Sequence, residues 1–216
     1  MASTGKRRFK ESYIEIPRKN GKTALAAAIS LLHGYADKEL GAETYYAATT
    51  RDQARICFEM AKKMVQMSDL RELSVVTRDA ISYEALGTTH KPVSSEAGNT
   101  EGTSPSCGII DEYHLHKTDE VLEVISTGMG AREQPLLFII TTAGLSTAVP
   151  CYKHRKIMTE VLDGIVSADR TFIMIYTLDD PDEAYNPKMW AKANPNLGVS
   201  LDEEWLAGQV EKMQRE

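Results

Sequence analysis

Residues 16–23 read Ile16-Pro17-Arg18-Lys19-Asn20-Gly21-Lys22-Thr23, and the meaning of this stretch decides the fold. Ahead of it, Ser12-Tyr13-Ile14-Glu15-Ile16 alternates polar and apolar side chains, the period of a half-buried strand. Behind it, Thr23 to Leu32 is rich in Ala and Leu and reads as a helix. A strand, a tight loop ending in Gly-Lys-Thr and a helix make up the layout of a phosphate-binding P-loop. Backbone N–H groups of the loop and of the helix N-terminus would form an anion cradle, and Gly21 permits the close approach and the unusual dihedrals this needs. Lys22 would reach the β- and γ-phosphates, and the Thr23 hydroxyl would sit on Mg2+. One position departs from G-x-x-x-x-G-K-[ST]: Ile16 stands where the first Gly belongs. Taken alone, the stretch also fits a basic turn, Arg18-Lys19, capping an ordinary helix at Asn20.

Downstream segments discriminate between these readings. Glu43 to Ala48 reads as a second strand, and Arg51 to Met67 as a helix with Ile56, Met60, Met64 and Met67 on one face, a stripe expected to pack into the core. Leu73 to Val76 and Ile81 to Leu86 are short strands that fit a hairpin or an edge pair, and Gly87 to Ser106 reads as a long polar loop. Cys107-Gly108-Ile109-Ile110 is apolar without alternation, as suits a strand buried on both faces of a parallel sheet, and it runs straight into Asp111-Glu112. This is the Walker B arrangement. Asp111 would hold Mg2+, and Glu112 would orient or deprotonate an attacking water. Asp119 to Ser126 is a helix with Thr118 as N-cap. Pro135 to Ile140 is another all-apolar strand, closing in Thr141-Thr142-Ala143-Gly144. Cys151 to Asp163 reads as a helix and Thr171 to Thr177 as a strand, so at least five strands alternate with helices in an α/β sandwich. Met189 to Ala193 is a short helix that breaks at Asn194-Pro195-Asn196-Leu197-Gly198, and Asp202 to Glu216 is a charged helix without a stop signal, as if cut.

Composition narrows the options. The 216 residues are 42% hydrophobic and 26% charged, enough for one large domain with a proper core. A net charge of −6 gives no global basic field, so any nucleic-acid contact must be local. Lys6, Arg7, Arg8 and Lys10 form one basic cluster, equally compatible with a solvated tail and with a phosphate contact. Cys57, Cys107 and Cys151 are odd in number and lack C-x-x-C pairing, which indicates neither a disulfide framework nor a zinc knuckle. The longest aliphatic run, Leu136 to Ile140, is too short to span a bilayer, so no membrane role is expected.

With loop, carboxylate pair and Thr-Thr-Ala-Gly in order, the sequence resembles the ATPase domain of tailed-phage terminase large subunits. The stretches carrying the resemblance are residues 16–23, Ile109 to Lys117, Gly130 to Leu136, Thr141 to Gly144 and Ala193 to Gly198. It implies a P-loop NTPase of the ASCE, RecA-like type, a three-layer α/β sandwich around a central, mostly parallel sheet. It also accounts for Ile16, since terminase Walker A loops commonly carry basic residues and only the later Gly-Lys-Ser/Thr. By the same resemblance Arg18, Lys19, Asn20, Gly21, Lys22 and Thr23 cradle ATP, Thr23 and Asp111 bind Mg2+, Glu112 is the catalytic carboxylate, and Thr141 and Thr142 belong to the motif coupling hydrolysis to movement. The arginine that stabilises charge on the γ-phosphoryl group would be Arg18 in cis or Arg132 across a ring interface, with Arg132 the favoured trans candidate. The implied partners are double-stranded viral DNA, a portal protein, a small terminase subunit and further copies in a ring, in the host cytoplasm of a phage or prophage.

Two departures from the family pattern shape the expected domain layout. Only a short segment precedes Ile16, where the family carries an adenine-recognising segment, and the residues after Gly198 are too few for its nuclease domain. Residues 1–193 are therefore expected to form the ATPase domain, and 194–216 a linker towards a missing nuclease domain. Competing readings are a DExH-type helicase, from Asp111-Glu112-Tyr113-His114, a metal site at Asp111, His114 and His116, and a silent fragment that only binds DNA or a partner.

Overall fold

The computed structural model describes residues 5–94, 103–144 and 146–215. Strands β1 (Glu11–Glu15), β2 (Glu43–Ala48), β3 (Val75–Val76), β4 (Ile81–Tyr83), β5 (Thr88–Ser94), β6 (Cys107–Asp111), β7 (Leu136–Thr141) and β8 (Thr171–Ile175) form one sheet in the order β3-β4-β5-β2-β6-β7-β1-β8. From β5 to β8 every neighbour is parallel, and β3 and β4 add an antiparallel hairpin at one edge.

Among the described residues the α-helices are α1 (Lys22–Ala36), α2 (Arg51–Gln66), α3 (Glu120–Gly128), α4 (Pro150–Leu162), α5 (Trp190–Ala193) and α6 (Glu203–Met213), of which α1 to α4 contribute to the cores on the sheet. Two cores follow from the apolar runs of the central strands, whose alternate side chains go to opposite faces. Ile14, Ile109, Phe138 and Ile140 pack with Ala27 and Leu31 of α1 and Phe58 and Val65 of α2. Tyr13, Ile110, Leu137 and Ile139 pack on the other face with Ile125 of α3 and Met158 of α4. The expected three-layer α/β sandwich is what forms.

Register then sets the site. Glu15 lies opposite Thr141, and Asp111 opposite Ile140, so the loops after β1, β6 and β7 leave the sheet side by side at one edge.

Three local expectations are corrected. The buried face of α2 is Ala54, Cys57, Phe58, Ala61 and Val65, whereas Ile56 is 60% and Met67 88% exposed. Met60 and Met64 are half-buried and pack against the edge of the core, so the stripe is split: the sheet selects the face with small residues, which lets α2 come close, and leaves Ile56 and Met67 outside. Second, the first third of the supposed polar loop, Thr88–Ser94, is strand β5, held between β2 and β4. Pro92 is tolerated there because Thr89 N donates to Ala42 O on the β2 side, which by alternation points the Pro92 nitrogen the other way, past the end of β4. The rest of that loop, 95–102, lies outside the described residues. Third, α3 is preceded by Asp119 rather than capped by Thr118; Asp119 makes no cap bond and instead accepts from Tyr113 Oη.

Three residues of the basic cluster make ion pairs at the edge opposite the P-loop: Arg7 with Asp37, partly buried, and Lys6 with Glu133 and Arg8 with Asp169, both exposed. All three cysteines are buried and free.

Candidate active site

The loop between β1 and α1 starts where Ile16 N donates to Thr141 O (3.0 Å), so its first residue is pinned to β7. Lys19 (φ 67) and Gly21 (φ 75) both take the left-handed conformation, and Gly21 ends the loop as N-cap of α1. No side chain caps this helix and no acidic residue stands in its first turn, which leaves its first N–H groups and the positive end of its dipole for an anion. Asn20 does not face the cleft. Its buried Nδ2 donates to Pro17 O (3.3 Å), Arg18 O (3.1 Å) and Asn194 Oδ1 (2.9 Å), and its Oδ1 accepts from Asn196 N (3.0 Å). Ser200 Oγ adds a bond to Lys19 O (2.6 Å). The turn after α5 thus braces the loop, a role nothing in the local sequence around Asn20 announces.

Lys22 is buried, with Nζ donating to Ile16 O (3.2 Å) and Pro17 O (3.3 Å). Burial pulls its pKa down, and the charges of Glu112 and Asp111 oppose that pull. Asp111 ends β6 and its Oδ1 accepts the Glu112 N–H (2.8 Å). Its pKa is pushed up to about 6 by burial and, next, by the neighbouring Glu112 charge, against the Glu112 N–H bond and Lys22. Glu112 itself is left-handed (φ 49, ψ 45), a costly state for a side-chain-bearing residue that turns the chain sharply after β6. Its Oε2 is buried and 3.2 Å from His114 Nδ1, without an aligned hydrogen bond.

These groups line a cleft of 510 Å³ that includes Arg18, Lys19, Gly21, Lys22, Thr23, Asp111 and Glu112, with Ile56 and Met60 of α2 as an apolar wall. The exposed face of α2 therefore has a place in the site. A larger cleft of 970 Å³ adjoins it across Arg18 and Leu115, lined by Glu15, Pro17, His114, Thr142 and the 176–181 loop. Arg18 is exposed at the lip of both and makes no ion pair among the described residues. Thr23 and Asp111 share the smaller cleft and offer hard oxygen donors, so the residues present fit Mg2+.

Thr141 and Thr142 are both buried at the end of β7, and their hydroxyls turn to His114 rather than to the loop. Arg132 is not brought to the site. It precedes β7, at the opposite edge of the sheet, and its guanidinium is spent on Ser104 O (2.6 Å), Gly41 O (3.0 Å) and Glu39 (3.4 Å). Within this chain Arg18 is therefore the arginine at the cleft, while the expectation for Arg132 concerns a neighbouring copy.

Among the described residues no three His, Cys, Asp or Glu side chains converge for a metal. His116 is buried against Tyr113 at 5.7 Å between ring centroids. Sequence reasoning also missed Glu15. It is buried at the end of β1, gripped by Arg155 Nε (3.0 Å to each oxygen) and Tyr13 Oη (2.9 Å), and only the β1 alternation could have flagged a carboxylate on an interior face.

A parallel sheet with this loop after β1 and an Asp-Glu pair after β6, one strand removed across β7, defines a P-loop NTPase. The chain belongs to the terminase large subunit ATPase domain family, whose model matches residues 2–160. It is 46% identical over 112 residues to protein YmfN of Escherichia coli K12, covering 52% of this chain and 25% of that protein. To the terminase large subunit of Enterobacteria phage HK97 it is 31% identical over 210 residues, 94% of this chain and 40% of that protein. The crystal structure of the HK97 large terminase superposes with a TM-score of 0.85 at 28% identity, covering 96% of this chain and 44% of that one. The large terminase of a thermophilic bacteriophage in complex with ADP has the same fold, at a TM-score of 0.60 and 12% identity over 92% of this chain and 44% of that one. The chain spans less than half the length of these relatives.

Proposed function

We propose that this chain is the ATP-hydrolysing motor unit of a terminase large subunit that drives double-stranded viral DNA into a procapsid. The observation that carries the reading is the strand register that brings Lys22, Asp111 and Glu112 to one cleft at an uncapped helix N-terminus. The α1 N–H groups and Lys22 bind the phosphates, while Arg18 meets charge developing on the γ-phosphoryl group. Mg2+, held by Thr23 and Asp111, supplies neutralisation of the phosphate oxygens. Glu112 accepts a proton from water as the water oxygen bonds to the γ-phosphorus and the bond to the bridging oxygen breaks, releasing ADP and phosphate. Thr141 and Thr142 pass the change to the rest of the molecule.

Residues 1–193 make the ATPase unit, and 194–216 lead out of it from a turn tied to the P-loop through Asn20. The partners are viral DNA, a portal, a small terminase subunit and further copies in a ring, acting in the host cytoplasm. No helix among the described residues is long and apolar enough to cross a membrane.

Steady-state ATP hydrolysis and nucleotide binding test this over a range of protein concentrations. Lys22→Ala should lose both. Glu112→Ala should keep binding and lose turnover by roughly 100-fold or more, and Arg18→Ala should slow turnover with smaller effect on binding. Absence of nucleotide binding by the unaltered chain would refute the reading.

A further inference from the structure

The Glu112 carboxylate hangs from a left-handed backbone, and its buried Oε2 has no aligned donor. The group facing it is His114. We propose that His114 is a positioning residue that sets the Glu112 carboxylate and ties it to the Thr141–Gly144 turn, so that neither moves without the other. This rests on the ATPase reading above and deepens it.

The Nδ1 edge of the ring faces both the carboxylate and the turn. Thr142 Oγ1 lies 3.3 Å from both Nδ1 and Nε2, and a proton on Nδ1 is the one that the neighbouring carboxylate and hydroxyls can accept. Thr141 Oγ1 donates to Thr142 O (3.1 Å) and accepts the His114 backbone N–H at 3.0 Å, with the Cys151 thiol a longer donor at 4.0 Å. That Nδ1 proton faces Thr141 Oγ1 at 3.1 Å and Thr142 Oγ1 at 3.3 Å on the turn, and Glu112 Oε2 at 3.2 Å on the other side. One donor shared between the turn hydroxyls and the carboxylate is a two-state element: a small ring rotation moves the bond from the turn to the carboxylate. Contact with the turn is close on the other side as well, since a side chain at Gly144 would come within 3.1 Å of His114 Cβ. The ring therefore sits between the group that would act on water and the segment that follows the neighbouring strand. An element whose equilibrium both sites bias is what energetic coupling requires.

Variants assayed for ATP hydrolysis and for equilibrium binding of a fluorescent ATP analogue separate this from a purely structural role. His114→Ala should lower kcat by about 10- to 100-fold, the effect of a misplaced catalytic group, while the analogue binds within about twofold of the unaltered affinity. His114→Asn, whose amide nitrogen can occupy the Nδ1 position, should recover part of the loss. His114→Ala added to Glu112→Gln should slow hydrolysis no further than Glu112→Gln does, because the ring acts through that carboxylate.

A second readout needs no turnover. The His114 imidazole NMR signals should move on Glu112→Gln and on Thr142→Val, and stay in place on Arg132→Lys. An unaltered kcat in His114→Ala, a loss confined to nucleotide affinity, an additive double variant, or ring signals indifferent to Glu112→Gln would each overturn the proposal. If Glu112→Gln hydrolyses ATP at the unaltered rate, it is the ATPase reading of the carboxylate that fails.

Discussion

Three non-glycine residues among the described ones have positive φ, and two of them, Lys19 and Glu112, line the smaller cleft. Left-handed backbone costs such residues on the order of 1 to 3 kcal/mol each, so this pattern marks where the fold accepts strain to aim particular groups. Asp111 carries a second cost. Its carboxyl, normally at 3.8, titrates near 6 in the fold because burial and the adjacent Glu112 disfavour its charge. A raised carboxylate pKa stabilises the fold below pH 4, and that contribution is lost as pH rises from about 4 to about 6, on the order of 3 kcal/mol by linkage. At pH 7 the ionised side chain is a liability to stability kept for function. Asp111→Asn retains an oxygen to accept the Glu112 N–H and removes the charge, at the expense of a favourable partner for Lys22. Thermal melts should show it more stable than the unaltered chain by about 1 kcal/mol at pH 7, with the difference closing at pH 4 and Mg2+-dependent nucleotide binding weakened; lower stability at pH 7 would count against the assignment. At this scale Gly21-Lys22-Thr23 and Asp111-Glu112 were legible because adjacent residues share a task. Asn20, Glu15 and Arg132 were not, since their partners lie in distant segments.

Among the elements, α2 shows how helical period alone leaves a choice. Ile56, Met60, Met64 and Met67 and the set Ala54, Phe58, Ala61 and Val65 both repeat at helical spacing, and hydrophobicity favours the first. Packing favours the second, because Ala54 and Ala61 let the helix approach the sheet while Phe58 fills the space against Tyr46 at 5.7 Å between ring centroids. Ile56 is left for the wall of the cleft. Phe58→Ala should therefore cost about 3 to 5 kcal/mol in urea unfolding, and Ile56→Ala less than about 1 kcal/mol while weakening nucleotide binding. A reversed order would mean that the helix faces the other way. Strand β5 makes the same point for sheets: Thr88 to Val93 has neither strict alternation nor an apolar run, and is a strand because β2 and β4 flank it.

For the molecule as a whole, the buried histidines set the acid limit. His90 is fully buried, and burial, with a smaller push from His33, brings its pKa down to about 3. His33 and His116 are lowered by burial too. A histidine kept neutral in the fold takes up a proton on unfolding, so its contribution is present above pH 6.5 and is lost as pH falls from there towards 3. These groups oppose Asp111 over the same window and outnumber it. Unfolding free energy should fall on acidification from pH 7 to pH 4, and His90→Gln should flatten that slope by about one proton; an unchanged slope would assign the acid sensitivity elsewhere. Tertiary connection also joins the P-loop to the far end of the chain, through Asn20, Asn194, Asn196 and Ser200. The sequence by itself determined the strand-loop-helix at residues 11–36, the buried parallel strands ending at Asp111 and Thr141, and the order of the α/β elements, because hydrophobic period, chain stiffness and adjacency are local properties. Tertiary structure alone decided which face of α2 is core, that Arg132 braces the far edge, that Asn20 holds the loop to residues 194–200 and that His114 stands between Glu112 and the threonines. Each of those depends on which of several compatible partners is nearest, and only the closed sheet fixes that.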